Sequence, residues 1–170
     1  MPALEFSESA EKQFLNILSR YPEGHRRAAL LPTLHLAQKE FGYMSVDAME
    51  YVATRLELPP SKVLHVATFY TMYNKSRVGQ RHVQVCKSIS CAVMKAYSLV
   101  EYLEDKLGVV AGETTADGKF TLSEVECLAV CGYAPALQCN DDYHIHLGQP
   151  AEDGSWPKVD ALLQEWGWEA

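Results

Sequence analysis

The sequence lacks the features that would assign it to several common classes of protein. No apolar run approaches the roughly 20 residues that a membrane-spanning helix needs, so we expect no membrane insertion. Lys and Arg number 15 against 22 Asp and Glu, a formal net charge of −7. An acidic chain is poorly suited to nucleic acid or an anionic membrane surface as its main partner. The patterns G-x-G-x-x-G and G-x-x-x-x-G-K-S/T are absent, so no nucleotide-binding loop is visible.

Further absences concern catalysis and disulfide chemistry. There is no G-x-S-x-G, no nucleophile beside an obvious base, and no C-x-x-C of the thioredoxin redox type. The opening residues, MPALEFSESAEKQ, lack the basic and apolar regions of a secretory signal, which favours a reducing, cytoplasmic setting. There, five cysteines serve as metal ligands, redox thiols or buried small residues rather than as structural disulfides.

Residues 1–78 carry the periodicity of a helical bundle. Apolar residues recur at helical spacing in segments that are joined by short polar connections. Ser7 or Ser9, and later Ser45, suit helix N-caps, and Gly42 suits a helix end. The predicted helices are the segment before YPEG, then AALLPTLHLAQKEFG, SVDAMEYVATRLEL and PPSKVLHVATFYTMY.

Residues 79–170 read differently, after the polar stretch NKSRVGQ. RHVQVC predicts a strand, AVMKAYSLVEYLEDKLG one long amphipathic helix, and KFTLSEVEC a second strand. PALQCNDDYHIHL predicts two strands joined by a turn, and PKVDALLQEWGW a terminal helix. The order β-α-β-β-β-α makes this part an α/β or α+β domain.

Four of the cysteines form two pairs, C-x₄-C at Cys86 and Cys91, and C-x₃-C at Cys127 and Cys131. Cys86 and Cys127 each follow a predicted strand, and a strand end is a rigid platform for a ligand-binding loop. Cys91 falls at the start of the predicted long helix, where the helix dipole favours a thiolate. The four thiols are therefore candidates for one four-thiolate site, and if they hold a cluster, we expect Val85, Ile89, Leu128, Val130 and Pro135 to supply an apolar collar.

Spacing alone does not identify the ligand of this site. The plant-type ferredoxin run C-x₄-C-x₂-C fails because residue 94 is Met, and a Rieske centre needs histidines paired with the cysteines. Structural zinc commonly uses C-x₂-C, although wider spacings occur. An iron–sulfur cluster, a zinc ion and no metal all stay open on this ground.

Two other groups are expected to be structural. Cys139 matches no ligand spacing and lies in a predicted strand, so we expect a buried small hydrophobe. His144 and His146 would share one strand face, where packing or surface exposure is the expected role.

Four segments carry a family resemblance; in order, they are ATFYTMY, HVQVCKSISC, EYLEDKLG and GETTADGKFTLSEVECLAVCGYAPALQCNDDYH. With these segments, the chain is similar to the thioredoxin-like [2Fe–2S] subunit of NADH:quinone oxidoreductase (respiratory complex I), the E subunit of the bacterial enzyme. The resemblance covers nearly the whole chain. It implies an α+β fold, with an N-terminal helical bundle (1–78) that docks to a partner and a thioredoxin-like α/β domain (79–170). It implies a [2Fe–2S] cluster bound by Cys86, Cys91, Cys127 and Cys131.

The resemblance also implies partners. It predicts a flavoprotein subunit that carries FMN and the NADH site, inside a larger hetero-oligomer that is cytoplasmic and peripheral to the inner membrane. This chain would exchange single electrons with that FMN and hold no catalytic residue of its own. Equivalent subunits of NAD-dependent formate dehydrogenases or hydrogenases leave the parent enzyme open, and a structural zinc-binding interaction module is the alternative of a different class.

Overall fold

A computed structural model describes residues 4–168. The chain divides between Arg77 and Val78 into two compact units. In its described part, from residue 4 onward, the first unit has helices and no strand. The second combines helices with a four-stranded sheet, which confirms the predicted α+β class. Within the described residues, every helix is too short or too polar to cross a membrane.

The first unit has the four helices that the periodicity predicts. Ser7 and Ser45 cap two of them, because each hydroxyl accepts a hydrogen bond from the backbone N–H three residues later. The last helix ends at Phe69, earlier than predicted, because Tyr70 adopts an extended conformation. The helices are α1 (Glu8–Leu18), α2 (Leu30–Phe41), α3 (Val46–Leu56) and α4 (Pro60–Phe69), with a 3-10 helix at Arg26–Ala29.

One buried face of each helix builds the core of this unit. Phe14, Leu34, Val52 and Val63 come from α1, α2, α3 and α4 in turn, and each is at most 2% exposed. Burial of side chains of this size contributes about 1.5–3 kcal/mol each to folding, so the packed apolar faces rather than the caps hold the helices together.

The second unit is built on a four-stranded sheet of order β2-β1-β3-β4. Strands β1 and β2 are parallel, and the other neighbours are antiparallel. A parallel pair needs a crossover connection, which two helices supply here. The elements are β1 (Arg81–Cys86), α5 (Ile89–Val93), α6 (Ala96–Leu107), β2 (Phe120–Val125), β3 (Leu137–Cys139), β4 (Asp142–His144) and α7 (Pro157–Glu165).

The sequence predicts one long helix from Ala92 to Gly108 in the crossover, and this prediction is wrong. The chain breaks into α5 and α6 at Lys95, whose φ of 70° and ψ of 29° are left-handed. The two helices have different partners: α6 packs on β1 and β2, while α5 packs on a 3-10 helix at Cys131–Tyr133. The break thus separates a core helix from the short helix that carries Cys91.

The end of the sheet also differs from the prediction. Strand β4 stops at His144, and His146 has a positive φ of 53°. The His144 ring packs edge-on against Trp166, and the His146 ring packs edge-on against Tyr133. The two histidines therefore do not share a strand face, because the strand is too short to include both.

Candidate metal centre

The parallel pairing of β1 and β2 brings two cysteine segments to one edge of the sheet. Cys86 is the last residue of β1 and pairs with Val125, the last residue of β2. The backbone N–H of Lys87 donates to the Val125 carbonyl at 3.0 Å, so the pairing continues one step past the strands. Cys127 follows two residues later. Because parallel strands end at the same edge, the sheet itself sets the spacing of the two segments.

Cys86 and Cys91 form the buried half of the site. Their exposed fractions are 3% and 2%. The pKa of Cys91 is raised to about 11, first by burial and then by a hydrogen bond with the Cys86 thiol. Cys91 lies inside the five-residue α5. The prediction that it lies at the start of a long helix is therefore wrong. So short a helix adds little dipole, and the predicted dipole stabilisation of this thiolate is not available.

Cys127 and Cys131 form the exposed half of the site. Between them, Ala129 turns the chain with a φ of 59°. Its backbone N–H donates to the Cys127 sulfur at 3.2 Å. Hydrogen bonds to cysteine sulfur are one of the means by which proteins tune iron–sulfur clusters. Cys131 opens the 3-10 helix that α5 packs against, and it adds electrostatically to the raised pKa of Cys91.

The structure therefore places Cys91 within electrostatic range of both Cys86 and Cys131, and Cys127 is exposed two residues past the end of β2. Among residues 4–168, no three Cys, His, Asp or Glu side chains already surround a single ion position. The donor chemistry nevertheless fits the predicted group. Four thiols without a carboxylate or imidazole among them suit zinc or an iron–sulfur cluster, not a hard cation.

Four of the five residues that the sequence predicts as an apolar collar are buried or half-buried. Val85 and Leu128 are buried, at 0% and 8% exposed, Pro135 is also buried, and Val130 is half-buried. The Ala134–Pro135 bond is cis. Ile89 is the exception: it is 82% exposed and is therefore a surface residue next to the thiols.

Charged residues beside the cysteines were not found from the sequence. The Lys87 Nζ lies 3.4 Å from a Glu124 carboxylate oxygen and 3.3 Å from a Glu126 one. These two glutamates, Glu126 first, raise the pKa of Lys87. The sequence offers one clue, since Lys87 follows Cys86 and Glu126 precedes Cys127 directly.

Cys139 lies outside this group. It is 3% exposed on β3, opposite Val83 of β1, and burial raises the pKa of its thiol to about 11. The prediction of a buried small hydrophobe is confirmed.

Cys86 ends β1, Cys127 lies two residues past its parallel partner β2, Cys91 lies on the crossover helix α5 and Cys131 opens a 3-10 helix. This arrangement is that of an α+β protein with a candidate all-thiol site for a metal or cluster. More particularly, the chain belongs to the thioredoxin-like [2Fe–2S] ferredoxin family, whose model matches residues 14–153. This confirms the family, the thioredoxin-like fold and the [2Fe–2S] cofactor that the resemblance implied. The assignment of the four ligands stays a prediction.

Relatives that share one name match most of the chain. The NADH-quinone oxidoreductase E subunit of Rickettsia felis is 43% identical over 152 residues, which are 89% of this chain and 87% of the relative. The E subunit of Rickettsia conorii is 48% identical over 134 residues, 78% of this chain and 80% of the relative. The Rhizobium meliloti E subunit that is numbered 2 is 42% identical over 146 residues, 86% of this chain and 82% of the relative.

Among solved structures, the NAD⁺-reducing [NiFe]-hydrogenase in its H₂-reduced state matches with a TM-score of 0.68 and 20% identity. The match covers 83% of this chain and 23% of the hydrogenase chain, so this chain spans about a quarter of that protein. At this identity the likeness establishes the fold alone.

Proposed function

We propose that this chain is the electron-carrying [2Fe–2S] subunit of the NADH dehydrogenase module of an NADH:quinone oxidoreductase. The observation that carries the proposal is the placement of Cys86 at the end of β1 and of Cys127 two residues past the end of its parallel partner β2, in a chain 43% identical to the Rickettsia felis E subunit along 89% of its length. The cluster supplies a one-electron redox couple. The protein supplies its position and its electrostatic surroundings.

Cys86, Cys91, Cys127 and Cys131 would hold the cluster. The buried pair anchors one side in the core of the second unit, and the exposed pair leaves the other side near the surface. Burial disfavours the charge that reduction adds, while N–H donors such as that of Ala129 favour it. An electron can then enter or leave from the exposed side without unfolding the core.

The electron donor is proposed to be a partner subunit that carries FMN and the NADH site. The sequence shows no nucleotide-binding loop, so NADH oxidation belongs to another chain. Close to the cysteines in the chain, the second unit exposes large apolar side chains on α5, at the start of α6 and on the 3-10 helix that α5 packs against. They are Ile89 at 82%, Val93 at 74%, Tyr97 at 54% and Tyr133 at 50%. We propose this α5 face as the contact with the flavin-bearing subunit.

The helical unit has an exposed apolar patch of its own. Where α4 ends, Phe69 is 77% exposed, Met72 is 42% and Leu64 on α4 is 46%. We propose that this patch docks the helical unit within the same hetero-oligomer. The complex, and not this chain, would then provide the attachment to the membrane.

The proposal is tested by asking which reductant reduces the cluster, in the isolated chain and in the complex. The chain alone, purified without oxygen, should be reduced by dithionite but not by NADH. In the complex with the co-expressed flavoprotein, NADH should reduce the same cluster. Rapid reduction of the isolated chain by NADH would contradict the division of labour, and a complex whose cluster NADH never reduces would contradict the assignment to this module.

A further inference from the structure

Lys87 joins the two cysteine segments through its side chain. Its Nζ lies 3.3 Å from Glu126, which precedes Cys127, and 3.4 Å from Glu124 on β2. Lys87 itself follows Cys86. We call the ion pairs of Lys87 with Glu124 and Glu126 the clasp. The clasp thus links Lys87, which follows the proposed ligand Cys86, to Glu126, which precedes the proposed ligand Cys127.

Two side chains of the clasp are partly buried and the third is exposed. The Lys87 and Glu124 side chains are 30% and 33% exposed, while Glu126 is 82% exposed. Partly buried charges are screened less by salt than exposed ones. The charge on Lys87 can therefore act on a neighbouring cluster, although ion pairs this exposed add little to folding stability.

We propose that Lys87 is a positioning residue that sets the charge balance beside the cluster, and so the reduction potential. This inference rests on the proposed function. Reduction adds one negative charge to a cluster that thiolates already make anionic. A cation beside it favours the reduced form, and the two carboxylates oppose it. Lys87 offsets part of that opposition at the point where both cysteine segments meet.

The direction in which the reduction potential changes distinguishes an effect of charge from the loss of a structural contact. Loss of a structural tie would act in the same direction whichever partner is removed. Loss of charge acts in opposite directions: without Lys87 the potential falls, and without the Glu126 charge it rises. The structure therefore predicts opposite shifts for Lys87→Met and Glu126→Gln.

The test is an EPR-monitored redox titration of the cluster in the co-expressed complex. We expect each variant to change the ratio of reduced to oxidised cluster at a fixed potential by about threefold to tenfold. For one electron this is about 30–60 mV, downward for Lys87→Met and upward for Glu126→Gln. The charge-swapped double variant, Lys87→Glu with Glu126→Lys, should return toward the wild-type value. Melting temperatures should stay unchanged.

A second ion pair in the same unit provides a matched control. Lys119 lies 3.9 Å from Asp117, just before β2 begins. It is a strand length, roughly 17–20 Å, from the cysteine edge. Lys119→Met and Asp117→Asn make the same charge changes and should leave the potential at the wild-type value.

The outcomes are distinct. If wild-type protein holds the cluster, and Lys87→Met and Glu126→Gln shift the potential in the same direction or not at all, the inference is overturned while the proposed function stands. Equal shifts in the Lys119 control would also overturn it. If wild-type protein holds no iron, the proposed function fails and the inference fails with it.

Discussion

Each of the five cysteines has surroundings that fit a particular role. Cys86 and Cys91 lie in the core, Cys127 and Cys131 lie on the exposed side, and Cys139 is buried on β3 away from them. A two-iron cluster needs four protein ligands, so loss of any one from the proposed set leaves an iron uncoordinated.

We expect Cys86→Ala and Cys127→Ala each to lose the cluster, measured as iron content and the EPR signal of the reduced protein. Cys139→Ala is the control: it removes a buried thiol from the same sheet and should retain the full iron content. Iron lost from Cys139→Ala but kept in Cys127→Ala would show that the ligand set is wrong.

Arg55 of α3 contacts both a carboxylate and an aromatic ring of α1. Its guanidinium makes two hydrogen bonds with the Glu11 carboxylate, at 2.6 and 2.7 Å, and lies 4.3 Å from the Phe14 ring centroid. Above all, the hydrogen bonding that Arg55 donates to the Glu11 carboxylate lowers the pKa of Glu11. The pair ties α1 to α3 across the rim of the core.

We expect Glu11→Gln to lower the free energy of unfolding by about 0.5–1 kcal/mol near neutral pH, a small effect because the Glu11 side chain is 38% exposed. Because folding lowers the Glu11 pKa, the stability from this pair is present above the unfolded-state pKa. It is lost as the pH falls through the folded-state pKa.

Urea unfolding of wild type and variant from neutral pH to below about pH 4 measures the effect. The difference between the two proteins should vanish at the acidic end. Glu50→Gln, at an exposed carboxylate of α3, is the control and should show a smaller difference throughout. A Glu11→Gln effect that persists unchanged in acid would contradict the ion-pair account.

At the scale of elements, the break between α5 and α6 determines where Cys91 lies. Lys95 holds the left-handed conformation that ends one helix and begins the next. A residue with a side chain costs about 1–2 kcal/mol in that region, while glycine adopts it freely. The backbone is therefore strained at Lys95, where α5 ends and α6 begins.

We expect Lys95→Gly to raise the melting temperature by about 2–4 °C, since relief of this strain outweighs the entropy that glycine adds to the unfolded chain. Asp105→Gly, an exposed residue inside α6, should instead lower it, because there glycine only weakens a regular helix. Calorimetry on the two variants checks both signs. A lower melting temperature for Lys95→Gly would mean that the bend is not strained.

At the scale of the whole molecule, the exposed α5 face should control assembly without controlling the cluster. We expect Ile89→Ser with Val93→Ser to retain iron but to reduce recovery of the co-expressed flavoprotein at least tenfold. Tyr143→Ser, a 53% exposed residue on the edge strand β4, is the matched control and should leave assembly intact. Full recovery with the α5 double variant would remove this face from the interface.

Local chemistry explains which parts of the fold were predictable. The caps at Ser7 and Ser45 and the apolar stripes of α1 to α4 and α6 are properties of short segments, so periodicity identifies them. The bend at Lys95 has no local signal, because no glycine marks it. Strand β4 is shorter than its alternating pattern suggests, because the chain turns at His146 instead of pairing further.

The site was predictable in part for the same reason. Strand ends placed Cys86 and Cys127 correctly, since sheet register follows from the strands. Spacing left zinc open because zinc and iron–sulfur clusters both take thiolates. Lys87 and Glu126 lie far apart in the sequence, and only the parallel pairing of β1 and β2 reveals that they meet.

The central claim is that this chain carries a two-iron cluster on four thiols. Metal analysis together with EPR, on protein prepared without oxygen alongside its partner, tests it most directly. We predict about two irons and no stoichiometric zinc per chain, and an S = 1/2 signal after one-electron reduction. One tightly bound zinc per chain, with no signal after reduction, would contradict the account.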